Sequence, residues 1–186
     1  MRFSTIIVAL AATVSAIDIR AHIGDSCVGS YRACRNINPR VCCSFSSSAN
    51  SGRSSVSVVF IPTNWRIRTA ASSGGGCRFF AGQRDSGGSR TVCLPYTTRG
   101  DRTGGRYWFL NRKRAEDESC PADQPDGGNC EAVVEADTLG LADGTEYNIS
   151  GLTSEKLQEL EEIADTGAGA DAVPAEFQVF RRSIDA

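Results

Sequence analysis

One histidine, His22, serves a chain of 186 residues. A single imidazole excludes the two-histidine arrangement of nucleases. It also leaves too few partners for a mixed Cys/His zinc site, and no C-x2-C pair is present. G-x-S-x-G, P-loop and dinucleotide fingerprints are all missing. The glycine runs Gly74-Gly75-Gly76 and Gly104-Gly105 are read as turns. A serine triad would have to use His22. A glycosidase needs two opposed carboxylates, and Ile17–Arg114 holds only four Asp and no Glu. No catalytic set, metal site or cofactor site is expected, so the sequence makes no positive case for an enzyme.

Long apolar runs are also lacking. The run Phe3–Val14 is too short for a membrane span, which needs about 20 apolar residues. Arg2 precedes it, and Val14-Ser15-Ala16 closes it with the small residues that signal peptidase selects. Residues 1–16 are therefore expected to be a signal peptide, cleaved after Ala16. The mature chain is expected outside the cell, with no membrane span.

Eight cysteines follow: Cys27, Cys34, Cys42, Cys43, Cys77, Cys93, Cys120 and Cys130. An even count behind a signal peptide predicts a disulfide framework. The pairing is open, except that adjacent Cys42 and Cys43 are expected to face different partners.

Charge divides the chain. Ile17–Arg114 carries sixteen basic against four acidic residues, +12. Ala115–Ala186 carries eighteen acidic against three basic, −15. Six of the cysteines precede this boundary and two follow it, so each half can close its own disulfides, with Cys120–Cys130 the expected pair in the second. Lys113-Arg114 stands at the boundary, a dibasic pair of the kind that kexin- and furin-type proteases cleave. The domain reading is a basic disulfide-rich β-domain over 17–114 and an acidic region over 115–186 that cleavage would release. On that reading the acidic region masks the basic one.

Local patterns predict a mainly β chain. Residues 17–40 read as loop-rich, punctuated by Gly24, Gly29 and Pro39. Ser55–Ile61 is β-branched and reads as a strand. Trp65–Thr69 alternates, with Trp65 and Ile67 on one side and Arg66 and Arg68 on the other. Cys77–Ala81, Arg90–Tyr96 and Arg106–Leu110 are further short strands. Together they predict a small disulfide-stapled β-sandwich or barrel. An acidic α+β tail follows. Thr138–Ile149 reads as a hairpin turning at Asp143-Gly144, and Leu152–Ala164 as an amphipathic helix capped by Thr153. Residues 166–174 are expected to be poorly ordered, with Phe177 and Phe180 docking beyond them. Asn148-Ile149-Ser150 is a glycosylation sequon.

Arginine is the strongest chemical feature: the basic half has fifteen against Lys113 alone. Guanidinium groups pair bidentately with phosphate, sulfate and carboxylate. Arg66, Arg68, Arg106 and Tyr107 are the candidate anion-binding face, for anionic lipid, acidic polysaccharide or another polyanion. The competing expectation is that the arginines balance the acidic half within one molecule, as in a structural or cell-wall-associated protein.

The segments GDSCVGSYRACRNINPRVCC, SVSVVFIPTNWRI, GGGCRFF, VCL and TGGRYWF, with the acidic DGTEYNISGLTSEKLQEL, resemble small cysteine-rich secreted proteins of filamentous fungi. That resemblance implies an extracellular, effector-like role in competition or host contact, and no active residues. The SVxF and W-x-I pattern is more distantly similar to βγ-crystallin-like domains, whose calcium box has no match here.

Overall fold

The computed structural model describes residues 17–96, 101–110 and 132–183. The expected signal peptide, the Lys113-Arg114 pair, Cys120 and Cys130 lie outside the described residues.

Strict alternation makes residues Ile17–His22 a strand, β1. Ile17, Ile19 and Ala21 face the main core, while Asp18, Arg20 and His22 face the other way. Tyr31–Ile37 (β2) and Val41–Ser44 (β3) follow. This corrects the loop-rich reading of residues 17–40. The punctuating residues Gly24, Gly29 and Pro39 fall in the connections between these strands and not inside them. Ser55–Val59 (β4), Ile67–Ser73 (β5), Phe79–Asp85 (β6), Val92–Leu94 (β7) and Gly104–Phe109 (β8) match the expected strands to within a few residues. Ala132–Glu135 (β9), Thr138–Gly140 (β10) and Glu146–Asn148 (β11) come from the acidic region.

The strands form two sheets. The first has the order β11-β10-β2-β1-β4-β7, and the second β6-β5-β8-β3-β9. All pairings are antiparallel except β3 with β9. Ile17, Ile19, Val56 and Val58 of the first sheet share one core with Ile67 and Tyr107 of the second and with Phe45, just past β3. The fold is thus mainly β, a sandwich followed by a hairpin and a helix. The acidic region supplies strands to both sheets, since β10 pairs with β2 and β9 with β3.

Gly104 and Gly105 are not in a turn; they open β8. A Cβ on Gly105 would lie 2.7 Å from Ile19 Cγ2 of the opposite sheet, and one on Gly104 only 2.4 Å from the Gly76 carbonyl oxygen. Neither face of the strand has room for a side chain there. Among the described residues three disulfides staple the sandwich. Cys34–Cys43 ties β2 to β3 and so one sheet to the other. Cys42–Cys77 ties β3 to the turn before β6, and Cys27–Cys93 ties the β1–β2 loop to β7. Adjacent Cys42 and Cys43 have different partners because successive side chains of β3 point to opposite faces.

A second core lies under the hairpin. Leu139, Leu141, Tyr147 and Ile149 pack with Leu160 and Ala164 of helix α1, Ser154–Asp165, and with Val173 and Phe177. Thr153 caps the helix by accepting the Lys156 N–H at 3.4 Å. Residues 166–174 are ordered, against the sequence expectation. Ala170–Ala172 form a 3-10 turn, Val173 is buried, and Asp143 accepts the Ala170 N–H at 2.8 Å. Asp143 sits in the hairpin turn, so small residues here are held by an anchor distant in sequence.

Candidate functional site

Charged residues gather on both faces of the first sheet. On the outer face, β1 presents Asp18, Arg20 and His22. The ladder through His22 places Tyr31, Gly140 and Glu146 in line across β2, β10 and β11. Tyr31 donates to Glu146 Oε1 at 2.8 Å, and Arg20 Nη2 donates to the same oxygen at 3.3 Å. The Arg20 guanidinium carbon lies 4.6 Å from the Tyr31 ring centre and 5.3 Å from that of Phe60. Asp18 Oδ1 accepts the Asn36 N–H at 3.0 Å, and Oδ2 lies 3.7 Å from Arg20 and 3.8 Å from Arg35. Burial raises the Asp18 pKa, against the lowering effects of the Asn36 N–H, Arg20 and Arg35. Burial likewise raises that of Tyr31.

His22 shares a 2.8 Å hydrogen bond with Ser57, its Nε2 against the serine Oγ, and both side chains are buried. Burial lowers the His22 pKa to about 4; the Gly29 carbonyl opposes this, and Arg20 and Arg53 add to it. The ring is neutral at neutral pH. Its charged neighbours are guanidinium groups, and among the described residues it forms no ion pair with a carboxylate. A triad needs a carboxylate behind the imidazole to orient it. Among the described residues the His22–Ser57 pair has no such third member.

On the inner face, beyond the second sheet, Arg32 and Arg53 meet helix α1. Arg32 makes a bidentate pair with Glu161 and donates to the Phe45 carbonyl at 2.5 Å. Arg53, only 2% exposed, donates to Glu161 at 3.0 Å and to Asp165 at 2.8 Å. Ser30 donates to the same Asp165 oxygen at 2.6 Å. Glu161 and Asp165 are one helical turn apart and so reach the same patch. The sequence reading singled out neither, because its helix face was judged by hydrophobic spacing alone.

The four residues expected to form an anion-binding face do not share one. Arg66 is exposed, and its guanidinium donates to the Thr63 carbonyl at 3.4 Å. Arg68 sits on the outer face of β5 in a bidentate pair with Asp85, at 2.6 and 3.0 Å. Each partner of that exposed pair favours the charge of the other: the hydrogen bond raises the Arg68 pKa and lowers that of Asp85. Arg106 is buried, which lowers its pKa, and lies over the Trp108 ring. Tyr107 faces the main core and donates to the Ile37 carbonyl at 2.9 Å; burial pushes its pKa up to about 12. In a strand, neighbours point to opposite faces, so Arg106 and Tyr107 could not both join one surface. Asn148 lies on edge strand β11, half-buried, with its side-chain carbonyl accepting the Ser150 N–H at 3.0 Å.

A two-sheet sandwich stapled by three disulfides among the described residues suits an oxidising, extracellular setting, and no described helix is long and apolar enough to cross a membrane. A family model described as an N-terminal domain, ARB_05566_N, matches residues 18–137, and the chain belongs to that family. The match runs from β1 to the residue before β10. A curated relative from Arthroderma benhamiae, named "Uncharacterized secreted protein", is 27% identical over 175 residues, covering 93% of this chain and 88% of the relative. No solved structure matches the chain. The protein is thus secreted and related to a secreted fungal protein.

Proposed function

We propose that this secreted protein is a non-enzymatic binding protein of effector or antimicrobial type that engages an anionic polymer through arginines at one end of the sandwich. The observation that carries this is which arginines remain after internal pairing. Arg20, Arg32, Arg35 and Arg53 are taken by Asp18, Glu146, Glu161 and Asp165. Arg66, Arg78, Arg84 and Arg90 are exposed and form no ion pair among the described residues, and Arg78 is set apart from the other three by its place over the Phe79 ring. Arg84 and Arg90 flank the turn 86–89. Arg66 Nη1 lies on that turn, 3.0 Å from where a Cβ on Gly88 would stand. Exposed guanidinium groups without a carboxylate partner, one lying against this turn and two flanking it in sequence, suit sulfate, phosphate or carboxylate groups along a chain.

The second reading, a structural or cell-wall-associated protein whose charges stay paired, is favoured by the Arg53–Glu161–Asp165 cluster, which joins the two charge halves. The two readings differ at the turn 86–89. Retention of the mature protein on immobilised acidic polysaccharide, falling as salt rises, supports the first. Absence of retention at low salt supports the second. Glycan attachment at Asn148 and cleavage after Arg114 belong to this proposal as processing steps, each read directly by intact mass.

A further inference from the structure

Phe60 stands at φ 62° with 51% of its surface open to solvent. That left-handed conformation is unfavourable for a bulky side chain, and this ring recovers little burial in return. The backbone must turn here, because the next residue, Ile61, is buried in the main core and its N–H donates to the Arg90 carbonyl at 2.9 Å. A glycine would make the same turn without strain. What the phenyl adds is its contact with the outer face of the first sheet, where it lies against the Arg20 guanidinium beside Tyr31.

The polar groups beside it are incompletely used. Asp18 Oδ2 lies 3.7 Å from Arg20 and 3.8 Å from Arg35, and Glu146 Oε2 lies 3.5 Å from Arg35. These are ion-pair contacts too long for good hydrogen bonds. Arg20 Nε is buried and has no hydrogen-bond partner, whereas the Arg35 side chain is 41% exposed. Two guanidinium groups and two carboxylates sum to zero charge, so the cluster selects neither a polyanion nor a cation. Its open members, the Arg35 guanidinium and the part-buried Glu146 carboxylate, offer donors and an acceptor on the face that carries a flat apolar ring. A sugar ring meets both demands: its hydroxyls donate and accept, and its C–H face packs on an aromatic.

We infer that Phe60, with Arg35 and Glu146 beside it and Arg20 and Asp18 supporting them from beneath, forms a binding site for a neutral pyranose unit of a polysaccharide. The site lies on the outer face of the first sheet and does not involve Arg66, Arg84 or Arg90. It makes the protein a binder of neutral glycan, independently of the anionic polymer proposed above.

Calorimetry with neutral hexasaccharides of glucose, of N-acetylglucosamine and of mannose tests it on the mature protein. At least one is expected to bind, with an affinity insensitive to salt. Phe60→Gly is expected to weaken that binding about tenfold or more while the thermal midpoint stays level or rises, because glycine relieves the φ strain. Phe60→Trp is expected to retain binding. If Phe60→Gly does not fold, Phe60→Leu, which lacks the flat face, carries the same expected loss. The triple substitution Arg66→Gln, Arg84→Gln, Arg90→Gln is expected to leave sugar binding unchanged, which separates this site from the arginine turn. No binding of any of the three sugars by the unsubstituted protein, or undiminished binding by Phe60→Gly, overturns the inference.

Discussion

Tyr31 lays its ring directly over the backbone of Gly140: a Cβ on that glycine would stand 2.1 Å from the Tyr31 ring carbon that bears the hydroxyl. The crossing carries the phenol from β2 over β10 to Glu146 on β11. Gly140→Ala forces the ring aside and breaks the Tyr31–Glu146 bond. Overpacking of this kind costs about 1–3 kcal/mol. Denaturant unfolding should show that loss, and Tyr31→Ala in the same chain should recover part of it by removing the clash.

Glu161→Gln tests the contact between helix and sandwich. Arg53 is almost fully buried and would keep only Asp165 as a charged partner. Arg32 would lose its bidentate carboxylate at the same time. Leaving buried guanidinium groups under-compensated costs about 3 kcal/mol or more. Glu162→Gln, on the exposed side of the helix, should change stability by less than about 0.5 kcal/mol. Equal effects from the two substitutions would show that Glu161 is not holding buried charge.

Cleavage after Arg114 should not separate the products in native buffer. The strands that follow residue 131 complete both sheets, and the second core and the Arg53 cluster lie within the joined structure. The cleaved protein should elute as one species in gel filtration and part only in denaturant. Elution of two native species would show that the shared sheets do not hold the pieces together.

His22 sets an acid limb. Its folded pKa, about 4, lies below its ordinary value of 6.5, so the unfolded chain binds the proton first as pH falls. The stability it allows is fully present above about pH 6.5 and is lost as pH drops towards 4, by roughly 3 kcal/mol at most. Asp18, whose pKa burial raises, contributes with the opposite sign. His22→Asn should flatten the pH dependence between 4 and 6.5, as measured by thermal midpoints across that range. An unchanged slope would remove His22 as its source.

The β-class and the tail were legible because their signals are local. SVSVV alternates, Asp143-Gly144 makes a hairpin turn, and Thr153 precedes a helix-spaced apolar face. Residues 17–40 were obscured by short strands set between strong breakers, and by Asp18, Arg20 and His22, polar residues that end up shielded by the charged cluster. The arginines were the hardest to place. Arg53 and Glu161 are 108 residues apart and meet only through the fold. Arg106 reads as a surface residue by type, yet it lies buried against Trp108. Arg66 has no carboxylate partner among the described residues, and the fold lays it against the turn 86–89 that Arg84 and Arg90 flank in sequence.

The most direct measurement is salt-dependent retention on heparin of the mature protein beside its Arg66→Gln, Arg84→Gln, Arg90→Gln variant. The account predicts that the unsubstituted protein is retained at low ionic strength and released as salt screens the contact, over a Debye length of about 8 Å at physiological strength. The variant should pass through at the same low salt while keeping its thermal midpoint, because these three side chains form no ion pair among the described residues. Equal retention of the two proteins, or no retention of either, would contradict the claim that Arg66, Arg84 and Arg90 are the arginines that bind.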